Sequence, residues 1–470
     1  MKYKFLFLFA VVVFSACKIP ILVSKQENKT LPAYYNSDQD STSIASIKWR
    51  QYFTDPFLIA IIDTALKNNQ ELNIALHEIE MDKNEIQAKK GEYLPFVNIG
   101  GAAGIEKTGR YTFDGLSEED LKANPEKGPK HIGDFRVGVY ASWELDIWKK
   151  LRNAKKSAAL KYFSTIEGRN FIVTNMIAEI SGSYYELLAL DNLMAIIQQN
   201  IELQKNALRM VKLEKEAARV SQLAVNRFDA QLLHTQNLQY DIQQQIVETE
   251  NRINFLSGRF TQHIARTTSG FNDIPIDMIQ SGIPSQLLLN RSDIRQAELA
   301  LAASKLDVGV ARANFYPSFR LNAGSGFTAF NPGFVFRPES FLYNFAGDAV
   351  GPLINKNAIK AAYKNANEKQ IISAYNYERS ILSAFIEVVN HLSLIDNCRK
   401  RYETKSKEVE ILTQSIDISN KLFISTKADY IEVLLTQREA LDSKIELIET
   451  KLKQLQAKVN IYRALGGGWN

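Results

Sequence analysis

Proline placement is the feature that most constrains this 470-residue chain. No proline occurs between Pro129 and Pro275, and none follows Pro352. Because proline breaks the interior of a helix, both stretches can form very long helices. Their composition is dominated by Ala, Leu, Gln, Glu and Lys, which favour helix. A single helix over residues 153–219 would be roughly 100 Å long at ~1.5 Å per residue, a length that suggests coiled-coil-like packing.

The chain also contains an internal repeat. The segment 72–95 matches 294–317, and the segment 151–225 matches 359–433. The shift in numbering between the matched segments is larger for the first pair than for the second. The first half is therefore predicted to carry extra residues between Pro95 and Leu151. That insertion is a polar loop containing Glu118, Glu119, Pro125 and Pro129.

After Pro95 and Pro317 the hydrophobic period changes from helical to alternating. Apolar side chains occupy every second position from Phe135 to Leu145 and, with Ser325 as the one exception, from Phe319 to Phe327. This period of two is typical of a β-strand. Weaker versions occur at 96–105 and 341–349, so each half is expected to supply two strands of ~10 residues, the length of a tilted membrane strand.

Aromatic residues lie near the ends of these predicted strands, as they do at bilayer interfaces. They are Tyr111, Phe113, Trp143, Trp148, Phe330, Phe341, Tyr343 and Phe345. Four strands cannot close a barrel, and open strand edges cannot lie in lipid. Three copies of the chain would supply twelve strands, an acceptable even number. The alternative is a soluble sheet of two hairpins packed on helices.

The N-terminus has the composition of an export signal. Two lysines precede an uncharged apolar run at 5–14, which is followed by Ser-Ala-Cys at 15–17. The run is shorter than the ~20 residues that span a bilayer, so residues 1–16 are predicted to be a cleaved signal peptide. Phe-Ser-Ala-Cys at 14–17 resembles a bacterial lipobox, although Leu is more usual than Phe14. Cys17 is therefore expected to be lipidated and to begin an N-terminal arm, 17–54; the alternative is an ordinary signal peptide with an incidental cysteine.

Several other classes of protein are disfavoured by the composition. Cys17 and Cys398 are the only cysteines, so acylation of Cys17 would leave no intrachain disulfide. No later stretch approaches ~20 consecutive apolar residues, and no membrane-spanning helix is expected. The net charge of +5 comes from interspersed lysines, arginines and acids, which suggests solvated helix faces rather than a nucleic-acid surface.

No enzyme, metal site or cofactor is expected from the sequence. The five histidines are scattered and show no metal-ligand spacing. Neither a G-x-S-x-G motif nor a phosphate-binding loop is present.

Five short motifs, in their order and with the duplication, resemble the outer membrane factor family of the TolC, OprM and NodT type, in its lipoprotein branch. The resemblance covers nearly the whole chain after Trp49, although Ser292 stands where proline is usual. The motifs are Asp-Pro-Phe-Leu at 55–58, Tyr-Leu-Pro at 93–95, Trp-Glu-Leu-Asp-Ile-Trp-Lys-Lys-Leu-Arg at 143–152, Leu-Asn-Arg-Ser-Asp-Ile-Arg-Gln-Ala-Glu at 289–298 and Ala-Leu-Gly-Gly-Gly-Trp at 464–469.

This resemblance implies a mainly α fold with a membrane β-barrel portion, in which a trimeric 12-stranded β-barrel stands on an α-helical barrel. The repeats would be 55–270 and 271–470, each with a helix, two strands (near 95–146 and 317–350) and a long helical hairpin. The homotrimer would lie in the outer membrane of a Gram-negative bacterium, in contact with its lipid, and work with a periplasmic adaptor and an inner-membrane pump. Its expected role is passive export of drugs or other small toxic compounds through a tripartite efflux pump.

The resemblance also implies sites at the periplasmic end. Asp417 matches the placement of acidic residues that narrow the closed end in this family, and Arg209 occupies the equivalent position of the first repeat. The alternative for Asp417 is a solvated helix-face residue. The hairpin tips that would contact the adaptor fall near Arg219, Ser221, Thr426 and Lys427.

Two other functions remain open at this point. One is an exit duct for a type I protein secretion system, and the other is a structural coiled-coil lipoprotein. The lipobox and the Gly-Gly-Gly-Trp ending favour efflux over secretion, and the alternation at 135–145 argues against a purely structural coiled coil.

Overall fold

A computed structural model describes residues 19–35, 42–107, 131–267, 270–275, 280–425 and 428–469. Several predicted features lie outside these residues. They are the signal peptide 1–16, Cys17, the aromatic residues Tyr111 and Phe113, most of the inserted loop with Glu118, Glu119, Pro125 and Pro129, and the tip residues Thr426 and Lys427.

The described residues form nine α-helices and four β-strands. The helices are α1 (Trp49–Tyr52), α2 (Pro56–Asn68), α3 (Gln70–Tyr93), α4 (Lys150–Glu216), α5 (Gln222–Leu256), α6 (Leu287–Asn290), α7 (Ser292–Ala313), α8 (Asn357–Ile424) and α9 (Tyr430–Ala464). The strands are β1 (Phe96–Glu106), β2 (Ile132–Leu145), β3 (Ser318–Ala329) and β4 (Phe341–Val350). Short 3-10 turns occur at Ile44–Ser46, Phe271–Asp273, Pro284–Gln286, Pro332–Phe334 and Pro338–Ser340.

The internal repeat is confirmed at the level of whole elements. Helices α4 and α8 have 67 and 68 residues, and α5 and α9 have 35 residues each. The connection from β1 to β2 covers 107–131, whereas the connection from β3 to β4 covers only 330–340. The extra residues of the first half therefore lie between its two strands, as predicted.

Local capping explains where two of the helices begin. Asp55 accepts hydrogen bonds from the amides of Phe57 and Leu58, and Pro56 occupies the first turn of α2. At α4, the Asp146 carboxylate accepts from the amides of Leu151 and Arg152 at 2.9 Å each. These contacts satisfy amides that have no partner within the helix, so the motifs at 55–58 and 143–152 mark helix starts.

Burial and hydrogen bonding oppose each other at the Asp146 carboxyl. Burial favours its neutral form, whereas the backbone amide and guanidinium of Arg152 and the amide of Leu151 favour the charged form. The hydrogen bonds outweigh burial, and the pKa of Asp146 lies below its ordinary value. The cap is therefore charged, which suits the positive end of a helix.

The chain divides into two compact units, and each unit combines parts of both repeats. The first contains the four strands and the helix ends that adjoin them; it comprises Met1–Gln26, Glu80–Phe163 and Leu299–Tyr375. The second contains the remaining helical segments; it comprises Glu27–Ile79, Ser164–Glu298 and Asn376–Asn470.

The strands of the first unit form one antiparallel sheet in the order β1-β2-β3-β4. Across its centre, Val139 lies opposite Ile99 on one side and Ser325 on the other, and Ser325 lies opposite Tyr343. The four strands predicted from alternation are thus confirmed and paired in one sheet.

The second unit contains a helical core with coiled-coil spacing. Ile197, Ile201, Leu208 and Val211 of α4 are buried, and Gln204 fills the remaining position of the same series. The steps of four and three residues are those of a heptad seam. The facing positions of α5 are Val225, Phe228, Leu232 and Thr235.

The two repeats close in the same way at the ends of α5 and α9. Gly258 and Gly466 occupy equivalent positions of the two repeats, and both have positive φ, at 67° and 95°. A Cβ atom on Gly258 would approach the carbonyl oxygen of Asn68 closer than 3.0 Å, and one on Gly466 would do the same with Asn290. Both the backbone conformation and the close approach require glycine.

Different side chains satisfy equivalent carbonyls beside these glycines. In the first repeat Asn69 donates from Nδ2 to the oxygen of Leu256 at 2.9 Å. In the second repeat the equivalent residue, Arg291, donates from Nη1 to the oxygen of Ala464 at 2.9 Å. The geometry is retained while a neutral amide is replaced by a cation.

One helix of the described residues passes a length-and-composition test for a membrane span. Helix α8 contains an 18-residue window that is apolar enough to cross a membrane by length and composition, and 22% of that window is buried. Because helices of protein cores pass the same test, the window by itself does not identify a membrane span.

Candidate functional site

The sheet of the first unit has two chemically different faces. Residues that lie opposite one another on paired strands share a face. One face is apolar apart from Ser325 and carries Val97, Ile99, Phe135, Val137, Val139, Ala141, Trp143, Leu321, Ala323, Phe327, Phe341, Tyr343 and Phe345. The other is mainly polar or small and carries Asn98, Gly100, Arg136, Gly138, Tyr140, Ser142, Glu144, Arg320, Asn322, Gly324, Gly326, Asn344 and Asp348.

The apolar face is not covered by the residues of one chain that the structure describes. Ile99 is 82% exposed, Tyr343 79% and Phe345 74%. A contiguous apolar surface of this kind marks contact with a membrane or another protein.

Among the described residues, the outer strands of the sheet, β1 and β4, have a paired neighbour on one side only. Every residue of β4 is exposed, and every residue of β1 is exposed except Gly100. Such edges present free backbone N–H and C=O groups. Because successive strands alternate in direction, β4 of one copy can pair antiparallel with β1 of another.

A row of small residues crosses the polar face. Gly138 and Gly326 are opposite each other, and a Cβ on either would approach the partner strand closer than 3.0 Å. The ring of Tyr140 lies 3.6 Å from the position a Cβ of Gly100 would take. Glycine here permits close packing of backbone and ring.

Aromatic residues occur at both ends of the sheet, but two of those expected at strand ends, Tyr343 and Phe345, lie near the middle of β4. At the end where strands meet helices, Trp143 donates to the oxygen of Tyr93 at 3.1 Å. Nearby, Trp148 stacks on Tyr316 with ring centroids 4.5 Å apart. At the opposite end Phe330 lies in the β3–β4 connection and is exposed.

The described hairpin tip joins α4 to α5 in the second unit. Ala218 has a positive φ of 55°. The Arg219 amide donates to the oxygen of Glu214 at 2.9 Å, and its guanidinium lies 3.3 Å from the Glu214 carboxylate. Ser221 is the N-cap of α5 but makes no side-chain capping bond.

The two predicted gate residues are exposed. Arg209 donates to Asn206 at 3.4 Å. No ion pair joins Arg209 to Asp417 among the described residues of one chain. Arg209 and Ile416, the neighbour of Asp417, nevertheless line the same groove.

This groove was not predicted from the sequence. It has a volume of about 340 Å³ and is largely apolar. Its walls include Leu203, Met210, Phe228, Phe423, Ile424 and Val433. Leu203 and Met210, one heptad apart and exposed, are the sequence signal that could have indicated it.

The N-terminal arm is held by hydrogen bonds to helix α8. In the first unit, Asn367 donates to the oxygen of Val23 at 3.0 Å, and Gln370 donates to the oxygen of Lys25 at 2.9 Å. In the second unit, the amide of Asn28 donates to Glu378 at 2.9 Å. Within the described residues no group of three or more His, Cys, Asp or Glu side chains could hold a metal ion.

The family model of outer membrane efflux proteins matches residues 61–259 and 283–467. The solvent efflux pump outer membrane protein SrpC of Pseudomonas putida is 26% identical, over 100% of this chain and 99% of its own length. The probable outer membrane lipoprotein SilC of Salmonella typhimurium is 25% identical, over 96% of this chain and 93% of its own.

The fold has a solved counterpart in the open state of the Neisseria gonorrhoeae MtrE outer membrane channel. The two superpose with a TM-score of 0.83 at 21% sequence identity, covering 97% of this chain and 99% of that one. The family model spans both repeats, and the two-faced sheet and long helical hairpins are the elements it covers. This chain belongs to the outer membrane efflux protein family.

Proposed function

We propose that three copies of this chain form the outer-membrane exit channel of a tripartite efflux pump, through which drugs or other small toxic compounds pass passively from the periplasm to the exterior. The observation that carries this proposal is the four-stranded sheet with one exposed apolar face and two unpaired edges. In lipid those edges must be paired, and closure into a barrel pairs them all.

The dimensions of the sheet support this assignment. Strand β3 has 12 residues, which corresponds to about 40 Å at ~3.3 Å per residue. Tilted by about 45°, it would cross roughly 28 Å, close to the thickness of a bilayer core. The apolar face would then meet lipid, and the polar face would line the channel.

Exposed apolar stripes on the helices support self-association. On α5, Leu233, Tyr240 and Val247 are exposed and follow one another at heptad spacing, and on α8 Ile411 and Ile418 have the same spacing. Heptad-spaced apolar residues pack against neighbouring helices in coiled coils. We assign these stripes to contacts between copies in a helical barrel.

The proposed cargo is small and toxic, because the similar SrpC is named as part of a solvent efflux pump. The channel itself supplies no energy, and the inner-membrane pump would select the cargo. We assign the protein no enzymatic role, because its family consists of efflux proteins.

Each predicted site has its own role in the proposed channel. Lipidated Cys17 would anchor the arm to the membrane. Arg219 and Ser221, with Thr426 and Lys427, would contact the periplasmic adaptor. Three copies of Asp417 would form an acidic ring that favours cations, with Arg209 at the equivalent position of the other helix.

The first test is growth inhibition of a deletion strain across solvents, dyes, antibiotics, detergents and metal ions. Restoration of resistance by the intact gene is the expected result, and the pattern of compounds would define the cargo. Unchanged sensitivity, in a strain without a redundant homologue and with the protein expressed, would contradict efflux; failed export of a secreted protein in the same strain would then favour the type I secretion duct.

A second test addresses adaptor contact. Arg219→Glu should abolish restored resistance while leaving an outer-membrane trimer. Arg227→Glu is the matched control, because Arg227 is also an exposed arginine of the same hairpin but lies in the second turn of α5. Equal resistance from the two variants would exclude Arg219 from the contact.

A third test addresses the gate. Asp417→Asn should reduce cation selectivity of the channel in planar bilayers, because the ring loses its charge. Asp241→Asn, on an exposed position of α5, should leave selectivity unchanged. An unaltered selectivity in the Asp417 variant would place that residue on a solvated helix face.

A further inference from the structure

Two turns with a matching sequence pattern connect the sheet of the first unit to the long helices. One leads from β2 into α4 and reads Ile-Trp-Lys-Lys at 147–150; the other leads from β4 into α8 and reads Leu-Ile-Asn-Lys at 353–356. Lys149 and Asn355, at the third position of each turn, have positive φ values of 59° and 54°. Residues other than glycine rarely adopt this conformation, so the two turns share an unusual backbone as well as a sequence pattern.

Both turns lie at the same end of the sheet. Leu145, at the end of β2, is paired with Phe319 of β3, which is paired with Ala349 near the end of β4. One strand therefore separates β2 from β4, which places them about 10 Å apart at ~4.8 Å per strand. The chain leaves the sheet for the helices at this end, which the proposed channel places at the periplasmic surface of the membrane.

The first two residues of each turn are apolar and exposed. Ile147 and Trp148 belong to the first turn; Leu353 and Ile354, which is 85% exposed, belong to the second. The exposed apolar surface of the strands therefore continues along the chain into both turns. Exposed apolar side chains at the end of a membrane strand can enter the lipid at its interface.

Lysines follow the apolar residues in both turns and continue into the helices. Residues 147–163 contain six lysines and arginines and no Asp or Glu, and residues 351–367 contain three lysines and no Asp or Glu. Neither α4 nor α8 has an acidic residue in its first turn. Cations near a helix N-terminus oppose the helix dipole, and like charges four residues apart, such as Lys360 and Lys364, repel each other. Helix formation therefore does not explain these lysines.

Ion pairs within the chain neutralise only part of this charge. Three of the cations pair with carboxylates: Lys150 with Glu144 at 2.6 Å, Arg152 with Asp146 at 3.0 Å and Lys161 with Asp307 at 2.9 Å. Five other lysines form no ion pair with any residue that the structure describes. We call them the junction lysines; they are Lys149, Lys155, Lys156, Lys360 and Lys364.

We propose that the two turns form a binding surface for anionic phospholipid headgroups, in which the junction lysines contact lipid phosphates and the exposed apolar residues lie among the adjoining acyl chains. The proposal rests on the proposed channel and goes beyond it, because it assigns the charge of the headgroup and the residues that contact it. Charge complementarity and continuity with the apolar face of the sheet identify an anionic membrane surface as the partner. Basic residues beside a membrane segment attract anionic lipid in this way.

The spacing of the junction lysines fits a headgroup layer. Lys149 and Lys156 are seven residues apart, which corresponds to about 10 Å along α4 at ~1.5 Å per residue. The polar layer on each side of a bilayer core is roughly 5–8 Å thick, and lysine side chains can extend several ångströms toward it. Lys360 and Lys364 lie in the first three turns of α8. All five junction lysines are therefore within reach of lipid phosphates when the sheet spans the membrane.

The test is the lipid preference of the purified full-length protein in vesicles made of phosphatidylglycerol and phosphatidylcholine in equal parts. After partial removal of lipid, mass spectrometry measures the ratio of the two lipids that the protein retains. We expect phosphatidylglycerol to be enriched over its share of the vesicle. The variant Lys149→Gln/Lys156→Gln/Lys360→Gln/Lys364→Gln should lower the relative affinity for phosphatidylglycerol at least about tenfold, because each lysine near an anionic surface contributes roughly fivefold.

The matched control neutralises four exposed lysines farther along the same two helices. It carries Lys212→Gln and Lys215→Gln in α4 and Lys407→Gln and Lys421→Gln in α8, so its net charge equals that of the junction variant. The control should retain the enrichment of the wild type. Equal enrichment in the wild type and the junction variant would overturn the proposal, as would an equal loss in the control.

Vesicles of phosphatidylcholine alone separate this proposal from the channel function. A wild-type protein that inserts there but shows no preference in mixed vesicles would overturn the headgroup surface and leave the channel intact, whereas failure to insert in either lipid would overturn both. Should the junction variant fail to insert, the wild type is measured at about 0.1 M and about 1 M salt, between which the Debye length falls from about 10 Å to about 3 Å. Enrichment should be lost at the higher concentration, and enrichment unchanged by salt would overturn the proposal.

Discussion

Apolar residues have different roles in the sheet and in the helical hairpins. In the hairpins of the second unit, Phe228 is 2% exposed and packs within the chain. In the sheet of the first unit, Phe345 is 74% exposed. Phenylalanine therefore stabilises the fold of the chain in the hairpins, whereas in the sheet it is exposed and available for contact with lipid or with another copy.

This difference shows that hydrophobic periodicity predicts which side chains share a face but not what packs against that face. The heptad series of α4 meets the series of α5 in the same chain, so burial is completed locally. The alternating series of β2 and β4 meets no second layer among the described residues of its own chain, so we expect burial to be completed by lipid or by another copy.

The largest expected effect is on the buried core of the helical hairpins. Phe228→Ala should lower the free energy of unfolding by about 3–5 kcal/mol, because it leaves a cavity in a packed core. Phe345→Ala removes the same group from an exposed site and should change it by less than about 0.5 kcal/mol in detergent. Thermal unfolding followed by circular dichroism measures both; similar losses would contradict the contrast between the regions.

A second prediction tests which face of the sheet meets lipid. Tyr343→Arg should disfavour insertion into vesicles by up to about 2–4 kcal/mol per copy, the cost of arginine near the bilayer midplane. Asn344→Arg places the same charge on the neighbouring residue, which lies on the opposite face, and should insert. Fractional insertion at increasing urea concentration gives the measurement, and inversion of the two results would reverse the assignment of the faces.

A third prediction sharpens the comparison by testing closure of the two repeats. Gly258→Ala and Gly466→Ala should each destabilise the protein by about 2–3 kcal/mol, from a left-handed backbone and a steric clash. Gly182→Ala lies in the interior of α4, where a Cβ meets nothing within 4 Å, and should stabilise by about 0.5–1 kcal/mol. The midpoints of urea unfolding measure these changes in stability. A neutral effect of Gly466→Ala would show that the second repeat closes differently.

The smallest expected effect is at the hairpin tip. Ala218 has a positive φ, so Ala218→Gly should stabilise the tip by about 1 kcal/mol through relief of backbone strain. Ala217→Gly, at the preceding residue, should not stabilise. Hydrogen exchange of the α4–α5 turn would reveal the gain, and faster exchange in Ala218→Gly would show that the strain is absent.

Much of the fold could be predicted from the sequence. Proline-free stretches correctly bounded α4, α5, α8 and α9, and alternation correctly located the four strands. The site was predictable only in part. The open edges of β1 and β4 followed from the strand count, but the groove beside Arg209 did not, because it is formed by residues from helices far apart in the sequence.

By itself the sequence determined the secondary structure, the duplication and the two-faced character of the strands, because proline spacing and hydrophobic period act within short segments. The tertiary structure alone decided three things. It paired the strands as one sheet with free outer edges, left Arg209 and Asp417 without an ion pair to each other within the described chain, and placed the turns after β2 and β4 at the same end of the sheet. Those outcomes depend on how distant helices and strands pack, which local propensity does not encode.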